Sequence, residues 1–154
     1  MGGSTGLQFF RPPVSREAEN AEAWRIVVQG NRFRGGVAAL AFVGCVDCVA
    51  VHNTILDPER WVLRILQETG DQDGYRFAPV RDGRLVNNLV VVDRSALSRW
   101  INVGSGTRPE TFAFTHELWW GGEGAEAPTL PGTVTGFIDA DPRIDDEGVP
   151  AADG

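Results

Sequence analysis

The shortness of the apolar runs constrains the fold of this chain most. Glycine occupies 19 of the 154 positions and proline nine, and these residues interrupt the sequence at short intervals. The segments between them are rich in valine, isoleucine and phenylalanine, which favour short strands over long helices. We therefore predict a mainly β chain with many turns. Its length corresponds to one domain, large enough to bury a core without cross-links.

The apolar segments give the predicted strands. Their ranges are 24–29, 37–43, 46–53, 85–93, 111–119 and 133–139. The clearest is 111–119, in which apolar and polar residues alternate. We predict that these strands form a single-domain antiparallel sandwich or a barrel-like core with one or two short helices. No internal repeat is evident.

One segment, 57–70, fits two structures. Asp57 suits a helix N-cap, Pro58 the first helical position and Gly70 the C-terminal stop. In the same segment, the alternate positions Trp61, Leu63 and Ile65 are also apolar, which is typical of a strand. We prefer the helix. Two further segments, 15–23 and 95–101, are predicted as short helices that Ser15 and Ser95 can cap.

The two ends differ from the predicted domain at 15–139. Residues 1–14 read as an extended arm, because Pro12 and Pro13 restrict the backbone. The arm is too apolar for a free tail, so we expect it to dock on the chain's own core or on a neighbouring subunit. Its expected contact residues are Leu7, Phe9, Phe10 and Arg11. Residues 140–154 read as an acidic, solvated tail.

Charge excludes several classes of function. The net charge of −7 argues against binding to the phosphate backbone of nucleic acids. All fourteen basic residues are arginine, which reflects either a GC-rich genome or a surface rich in interfaces. Without lysine the chain cannot be a P-loop NTPase, a Schiff-base enzyme or a protein kinase. No apolar stretch could span a bilayer, and no secretory signal is present.

Two cysteines and two histidines offer a possible zinc site, formed by Cys45, Cys48, His52 and His116. Against this, a continuous strand over 45–52 would place Cys45 on the opposite face from Cys48 and His52. A small buried cysteine is also the commoner case. We therefore expect neither a metal nor another cofactor, and a zinc- or ligand-binding domain remains the first alternative.

The segment around 116–123 offers a second possible site. His116 lies on the apolar face of the predicted strand 111–119, where a core histidine is commoner than a catalytic one. A small hydrolase that uses Glu117 or His116 is the second alternative. Glu117 and Glu123 flank Trp119 and Trp120, a combination that also occurs where sugars bind. Since adjacent strand residues face opposite ways, one tryptophan should be in the core and the other should anchor a partner.

These features together predict a non-enzymatic structural or interaction protein. The apolar arm, the arginine-only basic set, Trp119 and Trp120 all favour binding to protein subunits of a larger assembly, including copies of the same chain. Small β proteins of this style are typical of tailed-bacteriophage virions, as capsid-cementing, head–tail or tail proteins. The expected location is thus a virion or an intracellular assembly, with no direct contact to nucleic acid or membrane.

Overall fold

The computed structural model describes residues 1–2, 6–145 and 148–149. Within these ranges the helices are two short 3-10 turns, Leu7–Phe9 and Pro109–Thr111, and neither has the length or apolarity to cross a bilayer. The strands, in chain order, are β1 (Glu19–Asn20), β2 (Ala23–Trp24), β3 (Val27–Gln29), β4 (Arg32–Arg34), β5 (Ala38–Val43), β6 (Cys45–Val46), β7 (Val49–Val51), β8 (Thr54–Leu56), β9 (Trp61–Leu66), β10 (Arg76–Phe77), β11 (Arg84–Val86), β12 (Leu89–Val91), β13 (Ile101–Val103), β14 (Ala113–Thr115), β15 (Leu118–Trp120) and β16 (Thr133–Thr135).

The strands form three main sheets in which every pairing is parallel. The first sheet has the order β3-β7-β11-β14-β16, the second β4-β8-β12-β15 and the third β5-β9-β13. The chain visits the three sheets in turn and then returns to the first, one strand further along. Each circuit is a coil that contacts only the coils before and after it. The fold is therefore a parallel β-solenoid, one of the architectures built from stacked coils.

The predicted antiparallel sandwich or barrel-like core is wrong, although the chain is mainly β as expected. Every partner strand in the three sheets runs parallel, from β3 with β7 to β14 with β16. The short strands and frequent turns indicated hairpins. The turns instead redirect the chain from one sheet to the next without reversing it, and pairing occurs only after a full coil.

A left-handed residue separates the first sheet from the second in each coil. The backbone φ angles at these positions lie between 52° and 65°, at Gly30, His52, Asn87, His116 and Gly136. Such residues bend the chain sharply, and glycine and asparagine adopt this conformation more readily than most residues. The predicted continuous strands 46–53, 85–93 and 111–119 are therefore wrong. The last two are divided at Asn87 and His116, and the first is divided at Asp47, which also has a positive φ, and ends at His52.

The prediction of a helix over 57–70 is also wrong. Its central part is β9, which pairs with β5 on one side and β13 on the other. Asp57 has a φ of 44°, so it forms a bend and does not begin a helix. Neither 15–23 nor 95–101, both described in full, forms a helix. Tertiary pairing along the solenoid overrides the local helical signals.

Equivalent residues of successive coils stack into apolar columns inside the solenoid. One column from the first sheet contains Val28, Ala50, Leu85, Phe114 and Val134. A second, from the second sheet, contains Phe33, Ile55, Val90 and Trp119. The members from the second to the fourth coil are at most 1% exposed. The core is therefore a continuous stack of side chains along the solenoid axis.

A ladder of polar side chains runs beside these columns, formed by Asn31, Asn53, Asn88 and Glu117. Asn53 Oδ1 accepts hydrogen bonds from the backbone N–H (3.0 Å) and Nδ2 (3.2 Å) of Asn31. Asn88 Oδ1 likewise accepts hydrogen bonds from the backbone N–H (2.9 Å) and Nδ2 (3.0 Å) of Asn53. Glu117 Oε1 accepts hydrogen bonds from the backbone N–H (3.1 Å) and Nδ2 (2.8 Å) of Asn88. The ladder satisfies polar groups at the first four of these bends and fixes the register of the coils.

Candidate interaction surface

The first coil, formed by β3, β4 and β5, has one side that the described residues leave largely open. Within the described residues, β3 pairs only with β7 and β4 only with β8. Met1 partly covers β5, because its carbonyl oxygen accepts a hydrogen bond of 2.9 Å from Val43 N–H. We call this open side the first-coil end. Unpaired strand edges of this kind are sites where another strand can be added.

The backbone of β3 shows which groups face the opening. Ile26 O accepts from Val49 N–H at 2.8 Å, and Gly30 N–H donates to Val51 O at 3.1 Å. In a parallel sheet, the backbone N–H and C=O groups of one residue bond to the neighbouring strand on one side, and those of the next residue bond to the strand on the other side. The backbone groups of Val27 and Gln29 therefore point away from the second coil, toward the opening.

The first-coil end is apolar as well as unpaired. Val28 and Phe33 belong to the core columns but are only half-buried, whereas their equivalents in the next three coils are enclosed. Val27 is 59% exposed. Three more apolar residues in or next to the first coil are exposed, at Trp24, Ile26 and Val37. Exposed apolar residues beside an unpaired edge are typical of an interaction site.

Two depressions border this end of the solenoid, and Met1 lines both. A cavity of about 380 Å³ opens between Val28, Phe33 and Leu40, inside the first coil. A groove of about 570 Å³ lies between the N-terminal segment and Trp24. Both can receive apolar side chains from a partner.

The opposite end of the solenoid is also open. In the described chain, β16 pairs only with β14, and Val134 is 42% exposed. Thr133 N–H donates to Phe112 O and Thr135 O accepts from His116 N–H, so the backbone groups of Val134 point outward. We call this surface the last-coil end.

No protein-family model, curated protein or solved structure matches this chain. Functional conclusions therefore rest on the geometry of its own residues.

The predicted partner-binding residues of the N-terminal arm occupy different environments. Phe10 is buried against Phe77, with ring centroids 5.7 Å apart. Leu7 is half-buried, whereas Phe9 is 64% exposed. Arg11 is exposed, and its Nη1 donates to the carbonyl oxygens of Gln8 and Phe10. The arm thus docks on its own chain through Phe10 and leaves Phe9 on the surface.

The two predicted tryptophan anchors point in opposite directions. Trp119 is 0% exposed and lies in the core, which leaves no surface of it for a partner. Trp120 is half-buried and faces the other side of β15. Neither residue lies at the first-coil end.

The acidic tail is described only at 140–145 and 148–149, and the rest of that prediction lies outside the described residues. A Cβ atom added to Gly148 would lie 3.3 Å from Leu56 Cδ1 and from Thr54 Cγ2. The tail therefore returns to the second sheet and contacts its outer face at β8.

The candidate zinc ligands are not assembled into one site. Cys45 and Cys48 are both buried, and their sulfur atoms are joined in a disulfide. A bonded pair supplies no thiolate for a metal. His52 and His116 are exposed at bends of the second and fourth coils. In the described part of the chain, no group of three histidine, cysteine or acidic side chains could hold a metal ion.

Glu117, a candidate catalytic residue, is 1% exposed inside the solenoid. Its Oε1 accepts from Asn88 and its Oε2 accepts from Trp119 Nε1 at 2.8 Å. His116, the other candidate, is exposed on the bend before it, so the expected position of His116 on an apolar face is not observed. Burial raises the pKa of Glu117 above its ordinary value of 4.5, and the three donated hydrogen bonds oppose this shift. The carboxyl group serves as the last member of the ladder.

The raised pKa predicts a pH dependence of stability. The unfolded chain releases the Glu117 proton near pH 4.5, whereas the folded chain holds it to higher pH. Stability from this group is thus present below pH 4.5 and is lost as pH rises toward the folded pKa. We therefore expect the free energy of unfolding of the natural protein, compared with that of the Glu117→Gln variant, to fall as the pH rises from 4.5 toward the folded pKa.

Urea unfolding of both proteins at a series of pH values measures this difference. Groups other than Glu117 affect both proteins alike, so the comparison isolates the one carboxyl group. A difference that stayed constant or increased with pH would contradict the assignment.

Sequence reasoning missed the first-coil end because its residues look ordinary in the chain. Val27, Val28 and Phe33 resemble any strand residues, and only the stacking order shows that they lack neighbours on one side. The sequence does contain a signal of the repeating coils. Each first-sheet strand and the bend that follows it form a similar five-residue segment. These are VVQGN at 27–31, VAVHN at 49–53, RLVNN at 84–88, AFTHE at 113–117 and TVTGF at 133–137.

Proposed function

We propose that this protein is a non-enzymatic interaction subunit that assembles end to end. The first-coil end of one copy receives the last-coil end of another. The observation that carries the proposal is the open edge of β3, with apolar side chains of an incomplete core beside it. Adding one more coil would pair the edge and cover Val28 and Phe33.

The backbone of the two ends is complementary. Val27 and Gln29 direct their N–H and C=O groups outward at one end, and Val134 does so at the other. The same alternation joins successive coils within the chain, as between β7 and β11. A head-to-tail stack keeps all strands parallel, whereas a head-to-head stack would reverse them. The geometry therefore favours a heterologous contact.

Proline substitutions test the proposal at each end. Val27→Pro and Val134→Pro each remove an N–H that faces an opening and leave the bonds between coils in place. We expect the natural protein to associate in a concentration-dependent way in sedimentation experiments. Each proline variant should associate at least about tenfold more weakly, because one strand bond and its apolar contact are lost.

Mixing the two variants distinguishes the orientation. Val27→Pro keeps its last-coil end and Val134→Pro keeps its first-coil end, so the mixture should form dimers and nothing larger. Val27→Thr is the matched control, because it keeps the N–H and the branched side chain, and it should associate like the natural protein. A natural protein that stays monomeric, or a Val27→Pro variant that associates normally, would overturn the proposal.

The assembly predicted from the sequence is a tailed-bacteriophage virion, and this class stays a prediction. The end-to-end contact proposed for the solenoid is compatible with a structural subunit of such a particle. It equally serves any assembly in which copies of the chain extend one another.

A further inference from the structure

The outer face of the third sheet carries a cluster of arginines around Trp61, at the start of its middle strand β9. The guanidinium carbon atoms of Arg60 and Arg64 each lie 4.4 Å from the centroid of the Trp61 ring. Arg99 lies beside Arg60, because its backbone N–H donates to Arg60 O at 3.3 Å. Arg60 and Arg99 therefore line one small area of a chain whose net charge is −7, and Arg64 contacts the tryptophan beside them.

No described acidic residue pairs with these arginines. Among the residues that the structure describes, no carboxylate forms an ion pair with Arg60, Arg64 or Arg99. Like charges held close together repel one another, and a bound anion relieves that repulsion. Stacking on Trp61 holds the guanidinium group of Arg60 in place, which lowers the ordering cost of binding.

Two of these arginines, Arg60 and Arg99, line a concave site of about 200 Å³ together with Trp61, Ser98 and Asn102. Pairing of β13 with β9 places Asn102 opposite Arg64, and Arg64 Nε donates to Asn102 Oδ1 at 3.3 Å. This bond occupies the amide oxygen and leaves the Asn102 NH₂ group as a donor. Ser98 adds a hydroxyl group at the rim.

We propose that this site binds a phosphate or sulfate group. Each guanidinium group presents a planar fork of N–H donors that matches such an oxyanion. A tetrahedral dianion offers oxygens in several directions, as two separate guanidinium groups and the Asn102 and Ser98 donors require, whereas a carboxylate offers two in one plane. The group can belong to a free anion or to an ester on a larger molecule.

Isothermal titration calorimetry at constant ionic strength tests the site with inorganic phosphate, inorganic sulfate, glucose 6-phosphate and acetate. We expect saturable binding of phosphate or sulfate with a Kd of about 1 mM or below. Arg60→Gln and Arg99→Gln should each weaken it by about tenfold, because each removes a charge-assisted hydrogen bond. Arg76→Gln removes the same charge from another surface and should leave the Kd unchanged.

The outcomes separate the sources of the anion. Tighter binding of glucose 6-phosphate than of inorganic phosphate would indicate an ester on a larger molecule, and equal binding would indicate the free anion. Acetate that binds as tightly as phosphate, or a natural protein without saturable binding, would overturn the proposal. Binding unaffected by Arg60→Gln and Arg99→Gln together would also overturn it. None of these results depends on end-to-end assembly.

Discussion

Replacing Asn88 with alanine is expected to lower the free energy of unfolding by about 3–5 kcal/mol. Asn88 stands in the middle of the polar ladder and is almost fully buried. Its Oδ1 accepts from the N–H and Nδ2 of Asn53, and its Nδ2 donates to Ala50 O and Glu117 Oε1. Alanine would leave these buried partners without their bonds, and each unsatisfied buried group costs about 1–3 kcal/mol.

Asn31→Ala is the matched control for the ladder. Asn31 begins the same ladder but is exposed, so water replaces the bonds that its side chain loses. We expect a loss of about 1 kcal/mol or less. Chemical denaturation of both variants gives the comparison. Equal losses at the two positions would show that the ladder does not act through burial.

Replacing Trp119 with alanine is expected to have the largest effect in the core, about 3–5 kcal/mol. Trp119 packs against three other rings, with centroid distances of 5.8 Å to Trp100, 6.4 Å to Phe114 and 6.5 Å to Phe137. Its Nε1 also donates to Glu117 Oε2. Truncation would leave a cavity between the fourth coil and its neighbours, together with a carboxylate oxygen without its donor.

Trp120→Ala makes the same chemical change at the neighbouring position. Trp120 is half-buried on the opposite side of β15, so no closed cavity forms when the ring is removed. We expect a loss of about 1 kcal/mol. Thermal and urea unfolding of the two variants measure the difference. A loss for Trp120→Ala as large as that for Trp119→Ala would mean that the core does not close around Trp119 in solution.

Part of this fold could be predicted from local patterns. The strands at 37–43 and 133–139 follow from apolar, β-branched residues beside glycine, and β5 and β16 lie within these ranges. The direction of pairing could not be predicted in this way. A strand that turns through Gly30 or His52 has the same residue pattern whether it continues into a hairpin or into the next side of a coil.

The bends explain why the candidate site residues were misplaced. At His116 the left-handed bend interrupts the alternation of the predicted strand 111–119. The histidine then faces solvent, and Glu117 turns into the core beside Trp119. Alternation assumes a continuous strand, so one bend reverses the assigned faces of all the residues that follow it.

The repeat was hidden by the loops between the coils. The segments at 27–31, 49–53 and 84–88 carry the same pattern of a strand, a bend and an asparagine, but loops of different lengths separate them. A search for a fixed period finds nothing in such a chain. Side-chain character inside each coil also varies, because each coil needs only to fit its two neighbours.

The sequence by itself determined that this chain is mainly β, rich in turns, free of lysine and uneven in charge. These properties follow from residue type and need no partner. Tertiary structure alone decided that the strands run parallel, that Asn88 and Glu117 form a ladder, and that Val27 lies at an open edge. Each of these depends on residues a full coil apart, and the pairing that brings such residues together forms only when the coils stack.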